Sequence, residues 1–157
     1  MPPSLLNLFR RKNRLSKLLE RPESPQRTKK RYTVRMAIYD SPTSTPRIVD
    51  VNSEDVPKLL DELSTKTYSF SHERGGRFPY VAIKEIVENL IHADFRDAVI
   101  TILPDGNTIR VSDQGPGIVD KEKAFLPGFT TATEEMRPYI RGVGSGLPIV
   151  RETLKSI

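Results

Sequence analysis

Residues 78–117 read FPYVAIKEIVENLIHADFRDAVITILPDGNTIRVSDQGPG, and the fold is decided there. Ile83, Ile86, Val87, Leu90 and Ile91 recur at helical spacing, which predicts one amphipathic helix from Phe78 to about Asp94. Glu85, Asn89 and His92 recur at i, i+4 and i+7 on another face of it. One face is therefore apolar and the other carries an acid, an amide and an imidazole. Val99 to Leu103 and Thr108 to Ser112 then read as two strands joined by Pro104-Asp105-Gly106-Asn107, whose Asp-Gly pair favours a hairpin turn. The second strand runs straight into Asp113.

Working back toward the N-terminus, Tyr32, Val34, Met36 and Ile38 alternate with Thr33, Arg35 and Tyr39, the period of a half-buried strand. Pro42 to Pro46 break it, and Arg47 to Val51 is its expected partner. Ser53 with Glu54 and Asp55 predicts a helix cap with acids in the first turn. Val56, Leu59, Leu60 and Leu63 continue that helix to about Thr65. Residues 66–77, with the Gly75-Gly76 pair, are expected to be loop, which puts His72 on a surface loop. Residues 21–31 hold Pro22, Pro25 and a basic run and read as a linker. Before it, Leu5, Leu8, Phe9, Leu15, Leu18 and Leu19 alternate with Arg10, Arg11, Lys12, Arg14 and Lys17, so residues 1–20 read as a basic amphipathic helical arm.

The 157 residues suit one domain with an appendage. The formal charge of +5 is unevenly distributed. Residues 1–31 hold ten Arg or Lys against Glu20 and Glu23, whereas residues 32–157 hold fifteen against eighteen acids. The basic character thus belongs to the arm, which is read first as an exposed arm or a helix packed on the body and otherwise as a contact for an anionic membrane surface, nucleic acid or a partner, while the body is close to neutral. With no cysteine, disulfides and thiolate metal sites are excluded. No apolar run approaches the roughly 18 residues of a membrane helix, and a cytoplasmic location is expected.

Seven of the nine glycines lie beyond residue 105. Gly115 and Gly117 follow a strand, and Gly142, Gly144 and Gly146 precede Leu147-Pro148-Ile149-Val150, where proline suits the first turn of a helix. Glycine permits positive φ and close backbone approach, so both groups can present bare N–H groups to a ligand, and a helix start can receive phosphate oxygens.

The order of these elements resembles the Bergerat-fold ATPases, the superfamily of DNA gyrase B, Hsp90, histidine kinases and MutL. Glu85-Ile86-Val87-Glu88-Asn89 is similar to its asparagine box, and Asp113-Gln114-Gly115-Pro116-Gly117 to its first glycine box. Gly142-Val143-Gly144-Ser145-Gly146-Leu147 is similar to the second. Phe125-Leu126-Pro127-Gly128-Phe129-Thr130-Thr131 is similar to the phenylalanine box of the ATP lid.

The resemblance implies an α+β fold, a two-layer sandwich of a mixed β-sheet with helices on one face, spanning 32–157 with its nucleotide motifs in 85–154. The family normally adds two strands after the last glycine-box helix, and the sequence ends at Ile157 in or just after that helix, so those strands are expected to be missing.

It also implies ATP and Mg2+ as cofactors. Asn89 would offer a neutral oxygen to the metal, and Asp113 would accept from the adenine amino group. Gly115 and Gly117 would let the chain bend around the base. Thr131, Gly142, Gly144, Gly146 and Leu147 would complete the nucleotide site, and Glu85 would be the general base. The histidine-kinase branch usually carries a basic residue where this chain has His92. Thr130-Thr131-Ala132-Thr133 and Gly-Ser-Gly-Leu-Pro resemble anti-sigma-factor serine kinases more closely.

The implied activity is phosphoryl transfer to a serine or threonine of a partner such as a sigma factor, an anti-anti-sigma-like protein or another regulator. An ATP-gated binding module and a nucleic-acid-associated ATPase that homodimerises are the alternatives.

Overall fold

A computed structural model describes residues 29–117, 121–124 and 126. Its elements are β1 (Tyr32–Ile38), β2 (Arg47–Ser53), α1 (Val56–Glu73), α2 (Tyr80–Glu88), a 3-10 turn (Asn89–Ala93), β3 (Val99–Ile102), β4 (Ile109–Ser112) and a short α3 (Lys121–Ala124). The strands form one mixed sheet in the order β2-β1-β3-β4. β1 pairs antiparallel with β2 and parallel with β3, and β3 pairs antiparallel with β4. A parallel neighbour requires a crossover. α1 and α2, which lie between β2 and β3 in the chain, supply it.

Alternation along β1 decides which face is covered. Val34, Met36 and Ile38 have no exposed surface, while Thr33 and Arg35 face solvent. The inner face continues in register through Val51, Ile100 and Ile102. Leu59 and Leu63 of α1 and Ile83 and Val87 of α2 are buried with it in one cluster. Each such side chain contributes about 1.5–3 kcal/mol on burial. The outer face carries Arg35 and Asp50, directly opposite each other, in a two-pronged pair at 2.9 and 3.1 Å. Their mutual hydrogen bonding lowers the pKa of Asp50 and raises that of Arg35. The α+β layer architecture expected from the sequence is thus what the chain adopts.

Three local expectations are corrected. α1 is capped by Asp55, whose carboxylate accepts from the N–H of Lys58 at 3.0 Å, while the Ser53 hydroxyl accepts from the N–H of Asp55. α1 also runs to Glu73, well past Thr65. Its buried face continues through Ser64, Thr67 and Ser71, small polar residues that hide the periodicity. Ser64 and Ser71 can be buried because their hydroxyls donate to Leu60 O and Gly106 O, both at 2.7 Å. His72 therefore lies on a helix, stacked on the Tyr68 ring at 3.9 Å. The stop is Gly75, at φ +85°, with its N–H on His72 O and the N–H of Gly76 on Ser71 O, the paired bonds of a Schellman motif.

The third correction bears on the site. The helix expected over Phe78 to Asp94 is α-helical only from Tyr80 to Glu88 and tightens into the 3-10 turn at Asn89.

Candidate functional site

Glu85 and Asn89 sit one turn apart where α2 ends, Glu85 within the α-helix and Asn89 as the first residue of the 3-10 turn, and both are half-buried. The N–H of Asn89 is used by Val87 O. Its side-chain amide makes no hydrogen bond to another described residue, so its oxygen is available to a ligand. Among the described residues no group of three or more His, Asp or Glu could hold a metal ion alone. One amide oxygen is a fitting protein contribution for magnesium, which keeps phosphate oxygens and several waters in its octahedron. In a 3-10 segment residues three apart eclipse, which sets His92 over Asn89. His92 is half-buried, and burial lowers its pKa by disfavouring the charged ring.

The chain then turns sharply. Asp94, Phe95 and Asp97 adopt left-handed φ values of 51°, 54° and 46°. Left-handed geometry disfavours a residue with a Cβ by about 1–2 kcal/mol, so the surrounding structure must enforce it. Phe95 is 5% exposed and meets the Tyr32 ring edge-on at 5.2 Å. Lys30 pairs with Asp94 and lies over the Tyr32 ring.

Asp113 follows β4 directly and is exposed. One of its oxygens, Oδ1, accepts from the N–H of Gly115 at 2.8 Å, and Oδ2 has no partner among the described residues. A carboxylate held by one oxygen with the other available suits an amino-group donor such as N6 of adenine. The two glycines of this loop serve different needs. Gly117 has φ +73° with open space around it, so its requirement is conformational. At Gly115 an added Cβ would fall 2.6 Å from Ala93 Cβ, so its requirement is close approach.

The hairpin that delivers Asp113 is tied to α1. The hydroxyl of Ser71 donates to Gly106 O, Asn107 Oδ1 accepts from the N–H of Arg77, and Asp105 Oδ1 accepts from the N–H groups of Asn107 and Thr108. The sequence shows that Asp105-Gly106 turns the chain but not what the turn touches. Ala93, Ser71 and Asn107 make the contacts that hold these segments together and belong to no motif of their own.

A cavity of about 160 Å³ lies beneath α2, lined by Thr67, Phe78, Ile83, Ile86, Val87, Ile109 and Val111. Its lining is apolar apart from Thr67, and Asn89 and Asp113 are not part of it. Of the sequence-predicted site residues, the structure brings the end of the Asn89 turn against the Asp113 loop, at the Ala93–Gly115 contact. Thr131, Gly142, Gly144, Gly146 and Leu147 lie outside the described residues, as do most of the lid segment, the arm and most of the linker.

The family model described as histidine kinase-, DNA gyrase B-, and HSP90-like ATPase matches residues 75–157. The chain belongs to that family. It is also similar to the DNA mismatch repair protein MutL of Clostridium botulinum (strain Eklund 17B / Type B), 43% identical over 60 residues that cover 36% of this chain and 9% of that protein. The chain thus spans a small fraction of the length of this curated relative. No solved structure matches it. Family membership identifies the region holding Asn89 and Asp113 as an ATP-binding domain. Among the described residues, no helix is long and apolar enough to cross a membrane.

Proposed function

We propose that this chain binds ATP with a magnesium ion where α2 and its 3-10 extension meet the Asp113 loop, and that Glu85 activates the attacking hydroxyl. The observation that carries the reading is the placement of Glu85 and Asn89 one turn apart on the element whose end seats the Asp113 loop. Asn89 ligates the metal, Asp113 accepts from the adenine amino group, and the glycines at 142, 144 and 146 donate N–H groups to the phosphates. The nucleophile's oxygen bonds to the γ-phosphorus, the bond to the β–γ bridging oxygen breaks, ADP leaves, and the proton passes to the Glu85 carboxylate.

The acceptor is a serine or threonine of a protein partner, a sigma factor or an anti-anti-sigma-like regulator. The resemblance of the lid and second glycine box to anti-sigma-factor serine kinases supports this. The similarity to MutL favours a second reading, in which the acceptor is water, the chain homodimerises, and the basic arm of residues 1–31 contacts nucleic acid. In a third, the nucleotide gates partner binding and nothing is transferred.

Following the label of γ-labelled ATP separates them, since it appears in protein, in inorganic phosphate, or remains in ATP. Glu85→Gln is expected to keep nucleotide binding and lose transfer or release by about 10²–10⁴-fold. Wild-type turnover in that variant removes the general-base role. Unchanged Mg-ATP affinity in both Asn89→Ala and Asp113→Asn removes the site assignment itself.

A further inference from the structure

Among the described residues, the loop that carries Asp113 is held by the turn that ends the 3-10 segment. The N–H of Gln114 donates to Arg96 O at 2.9 Å. The α-carbon of Gly115 packs on Ala93 so closely that a Cβ there would lie 2.6 Å from Ala93 Cβ and 2.7 Å from Ala93 Cα. Neither partner can yield by rotating a side chain, because one is a methyl group and the other is backbone. The same Gly115 supplies the N–H that fixes Asp113 Oδ1. Whatever displaces Gly115 from Ala93 therefore turns the Asp113 carboxylate.

The seat itself is fixed from behind. The N–H groups of Asp94, Phe95 and Arg96 donate to Ile91 O, Leu90 O and Ala93 O at 2.9, 3.1 and 3.0 Å. Phe95 is wedged against Tyr32, and Ala93 is 4% exposed. Three residues with side chains in left-handed geometry within four positions make a turn with little freedom to readjust. A larger side chain at this buried position presses on Gly115, whereas glycine leaves the approach intact.

We infer that Ala93 is a positioning residue for base recognition: its small side chain lets Gly115 rest where it does, and through Gly115 that position aims the free oxygen of Asp113 at the base. The inference rests on the reading that Asp113 recognises adenine. It adds that the end of the helix that holds the metal ligand also gauges the base. A nucleotide with an amino group at purine C6 is then distinguished from one with hydrogen or a carbonyl there by a contact that never touches the nucleotide.

The test compares the affinity of the full chain for ATP and for purine riboside triphosphate, which lacks the 6-amino group, in wild type, Ala93→Val, Ala93→Gly and Asp113→Ala. The ratio of the two affinities is the readout, because general destabilisation of the fold lowers both alike. Wild type is expected to favour ATP by roughly tenfold or more, the size of one hydrogen bond to a charged group. Ala93→Val is expected to bring the ratio close to one, as Asp113→Ala does, while Ala93→Gly keeps most of the preference. Should Ala93→Val not reach the native circular dichroism spectrum, Ala93→Ser, one heavy atom larger than alanine, is judged by the same ratio.

A full wild-type ratio in the enlarged variant, beside a lost ratio in Asp113→Ala, overturns the role of Ala93 and leaves Asp113 standing. No preference in wild type, or a preference that survives Asp113→Ala, overturns the adenine reading and the role of Ala93 with it.

Discussion

Gly75 and Gly106 both have positive φ, at +85° and +68°, but the fold demands glycine at them for different reasons, and substitution separates the two. At Gly75 nothing lies within 4 Å of where a Cβ would sit. Gly75→Ala therefore meets only the left-handed backbone penalty, about 1–2 kcal/mol, and Gly75→Asn less, because asparagine visits that region routinely. At Gly106 the Cβ would fall 2.4 Å from Ser71 O and 2.6 Å from Gly76 N, both backbone atoms. Overpacking adds about 1–3 kcal/mol to the conformational term, so Gly106→Ala is expected to destabilise by about 2–5 kcal/mol.

The displacement also strains the Ser71 hydrogen bond to Gly106 O, which is fully buried on the serine side. Gly106→Asn relieves the backbone term but not the collision, and is expected to keep the overpacking cost of about 1–3 kcal/mol. Urea unfolding of the full chain, followed by far-UV circular dichroism at an unchanged m-value, measures all four variants. If Gly106→Asn comes within a few tenths of a kcal/mol of wild type, or Gly75→Ala costs as much as Gly106→Ala, the close approach of hairpin and helix end is refuted.

Thr67 is 1% exposed, lines the core cavity, and has a hydroxyl with no partner among the described residues. Thr67→Val is expected to raise the unfolding free energy by about 1 kcal/mol, and a lower urea midpoint would mean the hydroxyl is satisfied. His92 has its pKa lowered by burial, so below the unfolded value of about 6.5 the unfolded chain binds the extra proton more readily. Its contribution to stability is present above that pH and is lost as pH falls through the depressed native value. His92→Gln should flatten the slope in that window, and an unchanged slope by pH-dependent unfolding counts against it. The exposed Asp50–Arg35 pair acts in a lower window: Asp50's lowered pKa gives stability above its unfolded value of about 3.9 that is lost in acid. Asn89→Ala is expected to remove the dependence of ATP affinity on magnesium while leaving weak metal-free binding, measured by titration with and without chelator. Retained magnesium dependence assigns the metal elsewhere.

The alternation in β1, the hairpin signalled by Asp105-Gly106, and the helix bearing Glu85 and Asn89 were legible because each is a local pattern whose period matches its own geometry. The same logic misled where polar residues were buried. Thr67 and Ser71 look like loop residues, yet α1 continues through them because α2 and the hairpin cover them and Gly106 accepts the serine hydroxyl. The shift to a 3-10 turn at Asn89 was invisible for a related reason. The apolar spacing of Leu90 and Ile91 fits either helix, and the left-handed turn from Asp94 to Asp97 includes Phe95, which does not favour that geometry by itself.

The sequence by itself determined the residue types of the site and their order along the chain: an acid and an amide one turn apart, an aspartate after a strand, and glycines at the element boundaries. Tertiary structure alone decided why those glycines are glycines, since Gly117 needs a positive φ whereas Gly115 needs to touch Ala93. It also decided that the Asn89 and Asp113 segments share a contact. Spacing in sequence encodes the local backbone, but close approach between segments more than twenty residues apart depends on the sheet and helices that bring them together. It leaves no periodic trace.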